Sequence, residues 1–392
     1  MKVSQDNAYE IFSWLQAKTI CKFKSCCKSF SKFLEESDFK TKQANNLLKK
    51  DDTCFFIQPG QIEQRYKKIV ELHTLLKEKQ SSGIPNNVLK FLSKSASVLS
   101  SSNGLILCCT ISDQQDPIEL FICNPITKSR SFIPTPKSLQ GNYPYVDINI
   151  MLDCSNGSSY DYKIFLFENT IAWSPTCYIC KVYDGKEGVW KTMENNFFSG
   201  GRNMKFDMSV LHNGVIYFIS DCSPYFGISS PFYMPYIMSY NLENGISTIL
   251  RLPEEATKGC NENHVSCDMG IFKWGKVTNP NQSICLVRLR ECVFNVWFLK
   301  DYESSLWESV LEVRVRALGL KEKDPNVRVF MVMNGDLLIF ATKNKVYSCG
   351  LSNERLMVVE EICEHSCGYS PRLISYSNTL RLCGTNAAAL PC

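Results

Sequence analysis

The sequence has few of the groups that usually carry out catalysis. It contains only four histidines among 392 residues, and histidine is the commonest general acid or base. It also lacks a phosphate-binding glycine loop, a G-x-S-x-G elbow, an H-E-x-x-H zinc motif and a dinucleotide-binding fingerprint. We therefore predict a non-catalytic protein that uses no cofactor.

Long apolar runs and strong charge are also missing. The longest apolar runs, such as Leu337–Ala341, are too short to span a bilayer, and the N-terminus MKVSQDNAYE has no apolar core typical of a secretory signal. The net charge is only +4, which gives no basic surface for nucleic acid. We expect neither a nucleic-acid nor a membrane partner, and a cytoplasmic or nuclear location.

Cysteine is plentiful, with 20 residues, but its density is below that of a disulfide scaffold. Cys177 and Cys180 lie in a strand-like run, where residues three apart point to opposite faces. Two other sets combine cysteine with histidine: Cys260, His264 and Cys267, and Cys363, His365 and Cys367. Neither has the paired C-x-x-C spacing of structural zinc sites, so we predict reduced thiols and no metal.

From Asn7 to Leu48 there is neither proline nor glycine, which permits uninterrupted helices. Apolar residues recur three or four positions apart, the spacing of one helical face. This pattern predicts three short helices, whose apolar residues are Ala8, Ile11, Phe12 and Leu15; Ile20 and Phe23; and Cys26, Cys27, Phe30, Phe33 and Leu34.

After Leu48, glycine, proline and asparagine separate short runs rich in β-branched and aromatic residues, a pattern of many strands. Residues Ile62–Leu76 fit a helix by the spacing of their apolar residues, whereas the family resemblance described below implies a strand at "VELHTLL". The predicted strands are Thr53–Gln58, Gly104–Thr110, Glu119–Cys123, Lys163–Phe167, Cys177–Tyr183, Val215–Ser220, Ile284–Leu289, Phe294–Leu299, Val327–Val332 and Leu337–Thr342.

The strands belong to a degenerate repeat. Three Asn-Gly pairs, beginning at Asn103, Asn213 and Asn334, each precede an apolar strand, and Asn-Gly supplies the positive φ angles of a tight hairpin. In a second phase, an aspartate is followed six positions later by a tryptophan: Asp184 with Trp190, and Asp301 with Trp307. The alternation predicts about six units of roughly 55–60 residues, close to a propeller blade. We assign the two aspartates to turns.

The stretch "YEIFSWLQAKTICKFKSCCKSFSKFLEESDF" resembles the F-box, in the form found in plant proteins. Matching positions are Ile11, Phe12, Ser13, Leu15, Ala17, Lys18, Phe23, Lys24, Ser25, Cys27, Lys28, Ser29 and Phe39. Val3-Ser4 stands where the family has leucine-proline, Gln16 replaces a proline and Phe30 replaces a tryptophan. The resemblance implies that a Skp-type adaptor of a cullin ubiquitin ligase is contacted by Val3, Ser4, Ile11, Phe12, Leu15, Ile20 and Phe23.

The segments "SSGIPNNVLKFLSKSASVLSSSNGLILC" and "LFICNPITKS" resemble the kelch-like domain that accompanies the F-box in plant proteins. True kelch blades carry a Gly-Gly doublet, and here only Gly200-Gly201 qualifies. We therefore predict a mainly β fold: a three-helix F-box over residues 1–48, then a kelch-like β-propeller of about six blades over residues 52–392.

Two functions follow from this resemblance. The first is the substrate-recognition subunit of a Skp–cullin–F-box ligase, in which the propeller binds an unknown target protein for ubiquitination. The alternative is a ligase-independent binding propeller whose degenerate F-box is only a structural cap. The long loop Ser220–Tyr236 is a candidate target surface, with aromatic side chains as anchors: Tyr225, Phe226, Phe232, Tyr233 and Tyr236.

Overall fold

The structure is a computed structural model. It describes the chain apart from residues 1–4, 24–27, 49, 61–68, 76–83, 85, 111–117, 140–147, 155–160, 170–175, 224–228, 231, 261–266, 277–281, 352–357, 369, 385–386 and 391–392. The chain divides into two compact units, described separately below. The first comprises residues 1–164, 183–190 and 364–392, and the second comprises residues 165–182 and 191–363.

Helices dominate the N-terminal segment that ends at Leu48. The sequence predicted three there, and the described part of this segment contains a fourth, Ser37–Leu47, which packs Phe39 and Leu47 inward. No helix among the described residues is long and apolar enough to cross a bilayer. The α-helices are α1 (Gln5–Ser13), α2 (Ala17–Phe23), α3 (Lys28–Phe33), α4 (Ser37–Leu47), α5 (Asn86–Ser95) and α6 (Glu254–Thr257).

Strands make up most of the rest. Every run predicted as a strand contains one, and so does the segment "VELHTLL", whereas residues 62–68 lie outside the described part. The strands are β1 (Cys54–Pro59), β2 (Glu71–Thr74), β3 (Ala96–Ser102), β4 (Leu105–Thr110), β5 (Leu120–Asn124), β6 (Ser129–Ile133), β7 (Ile150–Asp153), β8 (Lys163–Asn169), β9 (Cys177–Asp184), β10 (Val189–Thr192), β11 (Phe197–Phe198), β12 (Val210–His212), β13 (Val215–Ile219), β14 (Ile237–Asn241), β15 (Ser247–Leu250), β16 (Cys267–Trp274), β17 (Ser283–Arg290), β18 (Val293–Asp301), β19 (Leu306–Arg314), β20 (Val329–Met333), β21 (Leu337–Ala341), β22 (Lys345–Gly350), β23 (Val359–Glu364), β24 (Pro371–Tyr376) and β25 (Ala388–Ala389).

These strands form six sheets, which confirms the predicted mainly β fold of a six-bladed β-propeller. Their orders are β2-β1-β24, β25-β6-β5-β4-β3, β10-β9-β8-β7 with β11 on β9, β12-β13-β14-β15, β16-β17-β18-β19 and β20-β21-β22-β23. In the first unit, β24 pairs antiparallel with β1 from Cys54↔Tyr376 to Pro59↔Pro371. The first strand of the domain and the last but one therefore share a sheet, an arrangement that closes a propeller without leaving that strand edge unpaired.

The hairpin predictions hold at all three Asn-Gly pairs. Asn103, Asn213 and Asn334 have φ angles of 43°, 49° and 57°. The glycine that follows each of them also has a positive φ angle. At Gly335 a side chain is excluded for a second reason, since an added Cβ would lie 2.2 Å from the carbonyl oxygen of Gly275. The sequence signal works because few other residues adopt two consecutive positive φ angles.

The second repeat phase is equally regular. The Asp184 carboxylate accepts the backbone N–H groups of Lys186 and Glu187, and Asp301 accepts that of Ser304. The following tryptophans match as well: the Trp190 indole donates to the Pro134 carbonyl oxygen and the Trp307 indole to that of Arg251, each partner lying 56 positions earlier in the chain. Both aspartates are therefore turn residues, as predicted, and both tryptophans fasten one repeat to the preceding one.

Candidate partner-binding surfaces

The N-terminal helices share a core with the C-terminal segment of the chain. Ala17, Ile20, Phe33 and Phe39 are buried together with Leu380, and Tyr9, Phe12, Leu15 and Ile126 are partly buried around them. The ring of Tyr9 packs edge-on against Phe33 and Phe39, with ring centroids 5.3 and 5.0 Å apart. Four short helices bury too little surface to be stable alone, so Leu380 and Ile126 complete this core.

Polar groups fix the same contact. The amides of Ala17 and Lys18, which open α2 and have no partner within it, donate to the backbone and side-chain oxygens of Asn378 at 3.1 Å each. The buried Gln43 side chain donates to the Leu15 carbonyl oxygen at 2.8 Å and accepts the Leu380 amide at 2.9 Å. Residues 378–380 thus act as a socket for the helical module, which we define as residues 5–48.

Three large apolar side chains are exposed to solvent among the module residues whose burial the structure describes. Ile11 is 56% exposed, Trp14 42% and Phe23 39%. Ile11 and Trp14 are three positions apart at the end of α1, and the Trp14 ring is flanked by Glu10, which accepts its indole N–H at 3.2 Å, and by the Lys50 ammonium group, 5.4 Å from its centroid. Trp14 was missed at the sequence level, although its spacing from Ile11 gave the signal.

The residues predicted to contact the adaptor are placed in different environments. Val3 and Ser4 lie outside the described residues. Ile11 and Phe23 are exposed, whereas Phe12 and Leu15 are half-buried against the module core and Ile20 is buried in it. Phe12 and Phe23 pack edge to face, with ring centroids 5.2 Å apart. Among the described residues of the module, Ile11, Trp14 and Phe23, which we call the exposed apolar set, are the large apolar side chains that a partner can reach.

The second predicted surface, the loop Ser220–Tyr236, is described only in part. Tyr225 and Phe226 lie outside the described residues, and Phe232 and Tyr233 are half-buried. Tyr236 is buried: its hydroxyl donates to the Ser199 carbonyl oxygen at 2.7 Å and accepts the amides of Gly201 and Arg202. Tyr236 therefore anchors the loop within its own unit.

A buried arginine forms hydrogen bonds to the backbone of this loop. Arg202 is fully buried, and its guanidinium donates to the carbonyl oxygens of Asp221, Ser223, Phe232 and Tyr233. Burial lowers the pKa of Arg202, and the Asp221 carboxylate, 3.7 Å away, opposes that effect. One guanidinium thus fastens both ends of the loop, because it has five donors in a fixed plane.

The Gly-Gly doublet noted in the sequence belongs to the same arrangement. Gly200 has a φ of +80°, and a Cβ there would lie 2.3 Å from the Tyr236 hydroxyl oxygen and 2.8 Å from the Phe232 ring. The position therefore requires glycine for both its backbone conformation and its contacts.

Three cysteines of the second unit converge. The sulfur atoms of Cys222, Cys260 and Cys267 all lie within 4.8 Å of one another, and those of Cys260 and Cys267 are 3.6 Å apart. Sequence spacing indicated only the last two, because Cys222 is 38 positions before Cys260 in the chain. His264, between them, lies outside the described residues.

The other cysteine–histidine loop has a different role. The Glu71 carboxylate accepts the amide and hydroxyl of Ser366, at 3.0 and 2.7 Å, and lies 3.0 Å from His73 Nε2. Burial alone would raise the pKa of Glu71, but the hydrogen bonds from His73 and Ser366 outweigh it and lower that pKa to about 2. His365 accepts the Cys367 amide at 3.3 Å. Glu71 thus fastens residues 365–367 to strand β2.

Several solved structures are similar to this chain at low sequence identity. They include an α-L-arabinanase from Penicillium chrysogenum complexed with arabinobiose (11% identity, 70% of this chain and 82% of that chain, TM-score 0.38). Two others are the β-propeller domain of the trilobed protease from Pyrococcus furiosus (9%, 70% and 83%, 0.34) and an oligogalacturonate lyase from Vibrio parahaemolyticus (10%, 69% and 79%, 0.34). These similarities carry no functional argument.

No curated protein matches the chain. The family model of the F-box associated beta propeller domain matches residues 61–380, which is most of the chain and includes all six sheets in whole or in part. The chain therefore belongs to the F-box associated β-propeller family.

Proposed function

We propose that the protein is the substrate-recognition subunit of a Skp–cullin–F-box ubiquitin ligase, working in the cytoplasm or nucleus. The supporting observation is the exposed apolar set on a module that precedes a propeller of the F-box associated family. Eleven large hydrophobic side chains are exposed among the described residues, and three of them form this set on the short helical module. Ile11 and Trp14 are three positions apart at the end of α1, and neighbouring exposed apolar side chains serve as anchors for a protein partner.

In this role the protein performs no chemistry of its own. The helical module binds the Skp-type adaptor, the propeller binds the target protein, and tethering raises the effective concentration of the target near the ubiquitin-charged enzyme. The socket formed by residues 378–380 supports this role, since hydrogen bonds and a shared core fix the module to its own domain.

The exposure of each module residue decides which variants are suitable for the test. Ile11→Asp with Trp14→Asp places two charges on exposed positions, so the fold is expected to survive. Leu15 and Ile20 are unsuitable, because both contribute to the module core. The matched control is Ile246→Asp, since Ile246 is 58% exposed but lies in the β14–β15 turn.

Binding of the full-length chain to a purified Skp-type adaptor should be measured by biolayer interferometry. We expect wild type and Ile246→Asp to bind, and the double variant to lose at least about a hundredfold in affinity, in line with interface hot spots. Equal binding by the double variant, with its circular dichroism unchanged, would exclude the exposed apolar set as the contact.

A ligase-independent propeller with a structural cap is the second candidate, and one observation favours it. Ile20 is buried in the same core as the chain's own Leu380, and the half-buried Leu15 packs against that core, as a cap would. The discriminating variant is Val3→Leu with Ser4→Pro, which restores the family's leucine-proline start. Adaptor binding by this variant but not by wild type would establish the cap and reject the ligase role.

A further inference from the structure

We propose that Cys222, Cys260 and Cys267 form a three-sulfur binding site for a soft divalent metal ion, with zinc as the natural candidate. Their sulfur atoms lie within 4.8 Å of one another. Thiolates around a zinc ion at about 2.3 Å are roughly 3.8 Å apart in tetrahedral geometry. The 3.6 Å separation of Cys260 and Cys267 matches that spacing, so binding requires only small side-chain movements.

The three cysteines come from separate elements that are each fixed. Cys222 follows strand β13, Cys260 follows helix α6, and Cys267 begins strand β16. The Cys260 amide donates to Thr257 and its thiol to the Ala256 carbonyl oxygen at 3.2 Å. A cluster assembled from three places and held by backbone hydrogen bonds is preorganised, and preorganisation lowers the cost of binding an ion.

Three cationic side chains form hydrogen bonds to the backbone next to the three cysteines. Arg202 donates to the carbonyl oxygens of Asp221 and Ser223, the neighbours of Cys222. Lys205 pairs with Asp268 and donates to the Met269 carbonyl oxygen, just after Cys267. Arg288 donates to the carbonyl oxygens of Glu255 and Lys258, just before Cys260. Such outer groups orient ligands and offset the negative charge of three thiolates.

Binding of an ion by this cluster is coupled to proton loss, because the thiolate and not the thiol is the metal ligand. A divalent ion held by Cys222, Cys260 and Cys267 therefore displaces thiol protons, which are released to solvent. Cys222 and Cys267 are partly exposed, which leaves a path for entry.

This proposal departs from the sequence prediction of no metal site. That prediction rested on the absence of paired C-x-x-C spacing, and the third sulfur comes from a residue 38 positions away in the chain. A disulfide between Cys260 and Cys267 is the competing use of the same atoms. The geometry favours the ion, because a disulfide joins two sulfurs and leaves the third without a role.

The test uses full-length protein, reduced and freed of metal, and titrated with Co²⁺ and then Zn²⁺. We expect a thiolate-to-cobalt charge-transfer band that saturates at one ion per chain and disappears when zinc is added. Calorimetry of zinc binding in buffers of different ionisation enthalpy should show release of thiol protons in wild type. Cys222→Ser, Cys260→Ser and Cys267→Ser should each weaken binding by at least about tenfold.

Cys292→Ser is the matched control, because Cys292 is an exposed cysteine outside the cluster, and it should bind as wild type does. Thermal unfolding of each variant without metal checks that it is folded. The absence of the charge-transfer band in folded, reduced wild type would overturn the proposal. So would a band that persists when all three cysteines are serine, or a Cys260–Cys267 disulfide in protein that binds no zinc after reduction.

Discussion

Two stretches of the chain concentrate aromatic side chains, the helical module and the loop Ser220–Tyr236, and their rings are used differently. In the module, Tyr9, Phe33 and Phe39 fill a core while Trp14 and Phe23 stay in solvent. In the loop, Tyr236 is buried and the backbone around Phe232 and Tyr233 is bound by Arg202. Aromatic content alone therefore does not identify a binding surface.

The physical difference lies in how each stretch satisfies its backbone. Helices satisfy most of their own hydrogen bonds, so a helical side chain can point outward without cost to the chain. An irregular loop has free carbonyl oxygens, and burying them requires donors from elsewhere. Arg202 supplies those donors, and the loop side chains nearest to it are drawn inward. The helical module is therefore the better placed of the two for a partner.

Among the variants that test this comparison, Arg202→Ala has the largest expected effect on stability. It removes the donors to four loop carbonyl oxygens and leaves Asp221 without this buried partner. We expect the free energy of unfolding to fall by about 3–5 kcal/mol, measured by urea denaturation. The control is Arg316→Ala, whose exposed ion pair with Asp324 should contribute within about 0.5 kcal/mol. Similar small losses for both variants would show that the loop does not depend on Arg202.

A second test compares two glycines of similar backbone conformation. Gly200 and Gly319 have φ angles of +80° and +66°, but an added Cβ meets Tyr236 and Phe232 at the first and nothing within 4 Å at the second. We expect Gly200→Ala to cost about 2–4 kcal/mol, from strain plus overlap. Gly319→Ala should cost only about 1 kcal/mol, from strain. Equal losses of thermal stability would mean that the packing at Tyr236 can relax.

Residues 365–367 extend the comparison to a loop held by an acidic group instead of a basic one. Because the folded pKa of Glu71 is lowered to about 2, its contribution to stability is complete above about pH 4.5. It is lost as the pH falls from there to about 2. The group is partly exposed, so we expect the contribution to be about 1–2 kcal/mol. Glu71→Gln should lower stability by that amount at pH 7.

Acid denaturation measures this contribution directly. The difference in unfolding free energy between wild type and Glu71→Gln should narrow between about pH 4.5 and pH 2. Glu308→Gln is the control, because the Glu308 pair with Lys300 is more than half exposed on both sides. If the difference in unfolding free energy between wild type and Glu71→Gln stays constant over this pH range, the stabilising role assigned to the Glu71 carboxylate is wrong.

The smallest expected effect is in the module. Trp14→Ala removes an exposed ring whose indole N–H donates to Glu10 at the surface, so the free energy of unfolding should change by no more than about 0.5 kcal/mol. Circular dichroism melts of the two proteins would check this. A loss of the size that follows from removing a buried side chain, about 2 kcal/mol or more, would show that Trp14 is a packing residue, and would remove it from the exposed apolar set.

Much of the fold was readable from local chemistry. The Asn-Gly pairs, the turn aspartates and the alternating strands depend on residues that are close in sequence, so their pattern survives without knowledge of the rest. Helix α4 was missed because its sequence, SDFKTKQANNL, carries few apolar residues. It is held by the burial of Phe39 and by Gln43, which bonds to Leu380, a residue 337 positions later.

The sequence by itself therefore determined the class of fold, the hairpins, the repeat and the resemblance to an F-box, since each depends on patterns that can be read along the chain. Only the tertiary structure decided which apolar residues of the module face solvent, because Leu380 and Asn378 come from the far end of the chain. It also decided that Arg202 fastens the aromatic loop and that Cys222 joins Cys260 and Cys267. These contacts link residues tens to hundreds of positions apart, and no local pattern encodes which side chains will meet.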